Sequence, residues 1–209
     1  MGHLLLQAQA WWDAQRFDQP VWQVAEWRDQ KVRHIQLHVA KALGKVVAAL
    51  GEDEGTASGT DTTARVRDEV LPDVAIYRSQ LINTVQEWGV PTAPLSRPHA
   101  RVPSRSAAGT LFRVVMSLSR ASAQLAAYLE PREHGAMSPA SYIHETIQEL
   151  HDSAAVLAAL FAVDLASAHR ARLEALLGAP LPAPLAEPGG KTPDGGGRPP
   201  HRSPLRHCR

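Results

Sequence analysis

The sequence predicts an all-α protein, an antiparallel bundle of about five helices followed by a disordered C-terminal tail. Two observations indicate this fold. Apolar residues recur at intervals of three and four in every segment outside the loops, which is the spacing of one buried helix face. No segment shows the alternation of β-branched residues that is typical of strands. The chain of 209 residues is long enough to enclose one hydrophobic core.

The first half of the chain predicts three helices. Residues 3–16 form a short first helix, and a longer second helix covers about residues 20–50. The third runs from near Thr62, a good N-cap residue, to Gly89. Pro72 lies inside this third pattern, so we expect a kink or a break there, because proline supplies no backbone N–H.

The second half predicts a linker and two further helices. Residues 90–109 hold four prolines, which favours an extended loop. Residues 110–129 form the next helix. Ser138 and the following proline are typical of a helix start, and the helix that begins there should continue to about Leu177. A break is expected within it, around residues 164–167.

The domain organisation follows from these elements. We expect one bundle domain over residues 1–178. Residues 179–209 are dominated by Pro, Gly and Arg, and such a segment cannot bury enough apolar surface to order itself. Short stretches of residues 20–89 resemble stretches of residues 110–177, with the loop 90–109 between them. The bundle could therefore consist of two repeated helix hairpins.

Composition excludes several classes of protein. The net charge of +1 produces no global field that would favour nucleic acid, so no specific nucleic-acid partner is expected. No apolar run approaches the roughly 20 residues of a membrane span. A single cysteine, Cys208, fits a reducing cytosol. The chain carries no Gly-rich phosphate loop and no nucleophile elbow. We therefore expect a cytoplasmic protein, and the richness in Ala, Arg, Pro and Gly suggests a bacterial one.

Two adjacent predicted helices carry the residues of a candidate groove. Lys41 and Lys45 lie four positions apart on the second helix, and Glu69 and Asp73 lie four positions apart at the start of the third. A spacing of four places both members of each pair on one helix face. If the helices are antiparallel neighbours, the two lysines should face the two carboxylates.

This helix pair resembles that of the MazG-like, all-α nucleoside triphosphate pyrophosphohydrolases, in which Glu-Glu-x-x-Glu and Glu-x-x-Asp together hold Mg²⁺. Aligned on Gly44, the first motif falls on residues 41–45, where none of its glutamates is present. In the second motif only Asp73 matches, and Glu69 is one residue out of place. The resemblance implies a helical scaffold for nucleotide chemistry, often a homodimer through its helices, with Mg²⁺ as cofactor where the ligands are intact.

Several hypotheses for the groove stay open at this level. The lysines would repel a divalent cation, so the first is a degenerate site in a non-catalytic scaffold or interaction module with no cofactor. In that case the lysines either neutralise Glu69 and Asp73 or bind a phosphate without cleaving it. The alternative is an active Mg²⁺-dependent pyrophosphohydrolase that uses Asp73 and Glu69, with Glu149 and Asp152 as further ligands. A nucleotide is a possible ligand in either case, and the likeness could also be coincidental.

Two other sets of polar residues share a helix face. His34 and His38, four apart, could bind a metal, but a pair without a third ligand is more typical of a polar helix edge. Glu145, Glu149 and Asp152 lie on one face of the fifth predicted helix. They indicate either a solvated charged face or a weak divalent-cation site.

Overall fold

The computed structural model describes residues 3–17, 27–51, 62–87 and 106–181. Every regular element within these ranges is helical, so the predicted all-α class is confirmed. Six helices are described, one more than predicted: α1 (His3–Phe17), α2 (Trp27–Gly51), α3 (Leu71–Glu87), α4 (Ala107–Glu133), α5 (Ser141–Phe161) and α6 (Leu165–Leu177). The predicted tail and most of the predicted linker lie outside the described ranges.

Four of the helices form a closed bundle. α2 packs against α4, α4 against α5, α5 against α3, and α3 against α2, so the apolar stripes of all four face a common core. α1 and α6 pack against the outer side of α3. The chain thus contains two helix hairpins within one bundle, whereas the internal repeat itself stays a prediction.

α3 is the central element because other helices surround it. Apart from Asp73, every residue in the range 70–85 is buried. A helix in this position carries polar side chains into the core, and each needs a partner. Ser79 and Thr84 donate to carbonyl oxygens one turn earlier in α3, at 3.0 and 2.7 Å. Asn83 donates to a carbonyl oxygen of α1 at 3.1 Å.

A buried polar network ties α1 to α2 and α3. Asp13 Oδ1 accepts hydrogen bonds from Gln9 Nε2 at 2.8 Å and from Gln80 Nε2 at 2.9 Å. Asp13 Oδ2 lies 3.9 Å from Lys31 Nζ, and both side chains are almost completely buried. Removal of either partner of a buried ion pair would leave the other charge buried and uncompensated, so the pair holds the two helices together. The network therefore fixes the position of α1.

A π-helical turn, Val66–Val70, lies just before Pro72, where the sequence predicts a kink or a break. In this turn the N–H of Leu71 reaches back to the carbonyl oxygen of Val66, five residues earlier. Pro72 is then the second residue of α3. The wider turn accommodates a residue that supplies no N–H, so the helix continues and does not break.

The start of α5 differs from the prediction. Ser138 does not cap this helix, which begins at Ser141 after Ala140. The hydroxyl of Ser138 instead donates to the carbonyl oxygen of Tyr128 at 2.6 Å. This contact closes the turn between α4 and α5. The prediction was wrong: the N-cap position falls on Ala140, two residues after Ser138, and no side chain caps the helix there.

The predicted break after α5 is confirmed and lies two residues earlier than expected. Ala162 adopts a left-handed conformation with a φ of 51°, which ends α5. Asp164 then caps α6 by accepting a hydrogen bond from the backbone N–H of Ser167 at 2.8 Å. The two helices diverge by 103°. Because of this bend, α6 packs against α3.

No individual helix in the described ranges combines the length and the hydropathy of a membrane span. The bent pair α5–α6 reaches that threshold only when its two parts are added together. The cytoplasmic location stays a prediction.

A buried histidine occupies the contact between α6 and the bundle. His169 has no exposed surface, and neither of its ring nitrogens has a hydrogen-bond partner among the described residues. Burial, and secondarily the charge of Arg78, lower the pKa of His169 from 6.5 to about 4. The Arg78 guanidinium also lies 3.0 Å from Nδ1 of His151, whose pKa is lowered by burial and then by this charge.

We expect the free energy of unfolding to decrease as the pH falls from about 6.5 to about 4. Between these values the unfolded chain binds a proton at residue 169 and the folded chain does not, so protons favour unfolding. The difference corresponds to roughly 3 kcal/mol below pH 4. Urea unfolding at a series of pH values measures this loss. His169→Phe should reduce the loss and leave the part that comes from His151, and the exposed control His134→Gln should show the full loss. Equal pH profiles for wild type and His169→Phe would contradict the prediction.

Candidate functional site

A cavity of about 460 Å³ opens between α2 and the helix formed by the π turn and α3, and α1 and α6 border it. Its lining includes all four predicted groove residues and both histidines of the predicted helix edge. The lining residues are Trp12, His34, His38, Lys41, Ala42, Lys45, Glu69, Val70, Asp73, Ile76, Tyr77, Gln80, Arg172 and Leu176.

One of the expected lysine–carboxylate pairs is present. Lys45 on α2 forms a direct ion pair with Glu69 in the π turn. Arg65 Nε lies 3.7 Å from the other carboxylate oxygen of Glu69. The hydrogen bond from Lys45 lowers the pKa of Glu69, so this carboxylate stays ionised at neutral pH.

The partner of Asp73 is not a lysine. Arg172, on α6, donates from Nε to Asp73 Oδ1 at 2.8 Å and from Nη2 to Oδ2 at 3.4 Å. The two residues are 99 positions apart in the chain. A two-point contact of this kind holds a carboxylate more firmly than a lysine does, because the guanidinium is planar. Sequence reasoning missed Arg172 because no local spacing connects it to Asp73.

Lys41 is the third cation of the cavity. Within the described ranges, no carboxylate lies within ion-pair distance of it. Its side chain is exposed at the mouth. The charged lining thus comprises three cations, Lys41, Lys45 and Arg172, and two carboxylates, Glu69 and Asp73. The cavity carries one excess positive charge, and Lys41 supplies it.

An aromatic wall lies beside this charge. The rings of His34 and His38 are 4.4 Å apart, and His38 Nδ1 lies 3.2 Å from the hydroxyl oxygen of Tyr77. Burial, and then the negative charge of Asp73, raise the pKa of Tyr77, so its hydroxyl keeps its proton at neutral pH. The wall therefore offers hydrogen-bonding groups attached to flat apolar surfaces.

The acidic face predicted on α5 does not gather into a metal site. No cluster of three or more His, Cys, Asp or Glu residues suited to a metal occurs among the described residues. Glu149 accepts two hydrogen bonds from Arg120, at 2.7 and 3.1 Å. Glu145 and Asp152 each accept one from a glutamine amide, at 2.9 Å. These contacts favour the interpretation as a charged surface.

Comparison with known proteins found no matching family model, no matching curated protein and no matching solved structure. The likeness to MazG-like pyrophosphohydrolases therefore rests on the residues around Gly44 and Asp73 and stays a prediction.

The Asp73–Arg172 pair should stabilise the fold measurably. Asp73 is 13% exposed and Arg172 is 32% exposed, so solvent screens their attraction only in part. In a double-mutant cycle with Asp73→Asn and Arg172→Gln, we expect a coupling energy of about 1–2 kcal/mol in urea unfolding.

The matched control is the neighbouring pair Arg67–Asp68, which has a similar N–O distance of 2.7 Å but is largely exposed. Its coupling energy should be much smaller, because solvent screens both charges. Equal coupling in the two cycles would show that the contact between α6 and the groove adds nothing to stability.

Proposed function

We propose that this protein is a non-catalytic interaction module that binds a small organic anion in the cavity between α2 and α3. The observation that carries the proposal is the charge of the lining, where Lys41 stands beside two internally satisfied ion pairs. A cation without a counterion at the mouth of a partly enclosed site favours an anionic ligand.

Metal-dependent hydrolysis fits this lining poorly. A Mg²⁺ ion needs hard oxygen ligands, mostly carboxylates and water. Of the two carboxylates in the cavity, Glu69 is held by Lys45 and Asp73 by Arg172. A divalent ion would have to displace both cations and would then lie close to them. The ion pairs replace a metal as the connection between α2, α3 and α6.

The remaining lining indicates which anions fit. Beside Lys41 lie the imidazoles of His34 and His38, which can donate or accept hydrogen bonds. The apolar part of the lining includes Ala42, Val70, Ile76 and Leu176. A volume of about 460 Å³ is typical of sites for small molecules. The ligand should therefore combine one phosphate or carboxylate group with an apolar, preferably planar, body.

The resemblance to MazG-like proteins supports a nucleotide as one member of this ligand class. It also defines the competing function, an active nucleoside triphosphate pyrophosphohydrolase. The two proposed functions differ in whether the bound molecule is cleaved.

We expect no pyrophosphate release when the protein is incubated with a panel of nucleoside triphosphates and Mg²⁺ or Mn²⁺, because the carboxylates are engaged by Lys45 and Arg172. A coupled colorimetric assay for pyrophosphate measures this. Turnover that disappears in Asp73→Asn would establish the enzymatic alternative and reject the non-catalytic one.

We expect isothermal titration calorimetry to detect binding of phenyl phosphate and benzoate, and weaker binding of inorganic phosphate, which has no apolar body. Lys41→Gln should weaken phenyl phosphate binding about tenfold, since a charge-assisted hydrogen bond contributes roughly 1.5–3 kcal/mol and Lys41 is exposed. Lys41→Arg should retain it.

The control for this titration is Arg113→Gln, which removes a cation from α4, outside the cavity. It should leave the affinity unchanged. If Lys41→Gln binds phenyl phosphate as tightly as this control does, or if none of the three probes binds, the cavity is not an anion site.

A further inference from the structure

A second, smaller cavity lies in the groove between α4 and α5. Its volume is about 190 Å³, and four residues of each helix line it. Among the described residues, the two cavities have no lining residue in common. This cavity, which we call the α4–α5 groove, is therefore independent of the site proposed above.

The groove exists because a long side chain on α4 is followed by a short one. Arg120 on α4 donates two hydrogen bonds to Glu149 on α5, at 2.7 and 3.1 Å, and this pair closes one end. One turn further along the helices, Ser117 and Asp152 line the groove. The hydroxyl oxygen of Ser117 accepts a hydrogen bond from Arg120 Nη2 at 3.1 Å. A serine is too short to fill the space that an arginine fills in the preceding turn.

Two opposite charges line the groove without forming an ion pair. In the described part of the chain, no carboxylate lies within ion-pair distance of Arg113, and no cation lies within that distance of Asp152. One oxygen of Asp152 accepts a hydrogen bond from Gln148 at 2.9 Å, and the other is available. Both charged side chains belong to partly buried residues. The groove thus separates a cation from an anion.

A buried hydroxyl lines the same groove. Ser153 is 1% exposed, and its Oγ has no hydrogen-bond partner among the described residues. Other buried hydroxyls in the helices of this protein, those of Ser79, Thr84 and Thr146, donate to the carbonyl oxygen one turn earlier. An unsatisfied buried hydroxyl destabilises a fold unless a bound group satisfies it. Ser153 therefore indicates a polar ligand.

We propose that the α4–α5 groove binds a free amino acid with a small apolar side chain. Such a molecule is a zwitterion at neutral pH, with a carboxylate and an ammonium group on one carbon atom. The guanidinium of Arg113 binds the carboxylate, and Asp152 accepts hydrogen bonds from the ammonium group. Charge-assisted hydrogen bonds of this kind are the stronger ones. The hydroxyl of Ser153 supplies a third polar contact.

The rest of the lining defines the side chain of the ligand. Val114 and Val156 are buried residues that give the groove an apolar wall. The volume is below the range of sites for drug-sized molecules, so only a small side chain fits. A phosphate or carboxylate without an ammonium group would be repelled by Asp152 and Glu149. The groove therefore does not compete for the anions proposed for the first cavity.

Titration of the full chain, labelled with ¹³C in its valine methyl groups, tests the inference by nuclear magnetic resonance. L-Valine should shift the methyl signals of Val114 and Val156 with a dissociation constant in the millimolar range. Isovalerate and isobutylamine, which each keep the branched side chain and one of the two charges, should bind at least about tenfold more weakly. An affinity for isovalerate or isobutylamine equal to that for L-valine overturns the inference, as does the absence of any shift up to about 50 mM L-valine.

Variants separate the two charges. Asp152→Asn should weaken L-valine binding about tenfold and leave isovalerate binding no weaker, whereas Arg113→Gln should weaken both. Ser153→Ala should weaken L-valine binding about threefold. The control Arg33→Gln removes an exposed cation from α2, outside the groove, and should bind L-valine like wild type. If Asp152→Asn and Arg113→Gln both bind L-valine as tightly as this control does, the groove is not an amino-acid site.

Discussion

The enclosure of α3 is the constraint on which the rest of the structure depends. A helix buried on all sides must place polar as well as apolar side chains in the core, and an unpaired polar group there costs several kcal/mol. Gln80 and Asn83 are satisfied by α1, and Arg78 lies against His151 of α5. Each surrounding helix is therefore held in one position by a hydrogen bond as well as by apolar packing. This gives the bundle one arrangement among the many that apolar stripes alone would permit.

The cavity is a consequence of the same arrangement. Its walls come from α2 and α3, but the bend after α5 decides its charge. The left-handed Ala162 and the cap at Asp164 turn α6 back across α3, and this brings the guanidinium of Arg172 to Asp73. Without α6, Asp73 would have no arginine as its ion-pair partner. The lining would then hold two lysines and two carboxylates, with no excess charge. With α6, both carboxylates are engaged and the excess charge is positive. The proposed preference for anions thus depends on the last described helix.

Local patterns in the sequence predicted the helices well, because helix periodicity is a short-range property. Ile35, Val39 and Val46 form the buried stripe of α2 at intervals of three and four, and α6 ends at Leu177, where the last helix is predicted to end. The spacing of four residues also predicted the contact between Lys45 and Glu69, since the two lie on adjacent helices. The start of α5 was misplaced because the turn after α4 extends to Ala140, where the helix begins without a side-chain cap, and the hydroxyl of Ser138 closes that turn through Tyr128.

The sequence by itself determined the class of the protein, the approximate helices and the surface of α2 on which the candidate site lies. These follow from the apolar period of 3.6 residues and from the residues that end helices. Only the tertiary structure decided which charges meet. Arg172 reaches Asp73 across 99 positions and Gln80 reaches Asp13 across 67, and such pairs depend on how whole helices pack. The reason is physical. The geometry of a single helix determines which of its residues share a face, whereas the helices that pack against that face depend on how all the apolar faces of the bundle are buried together.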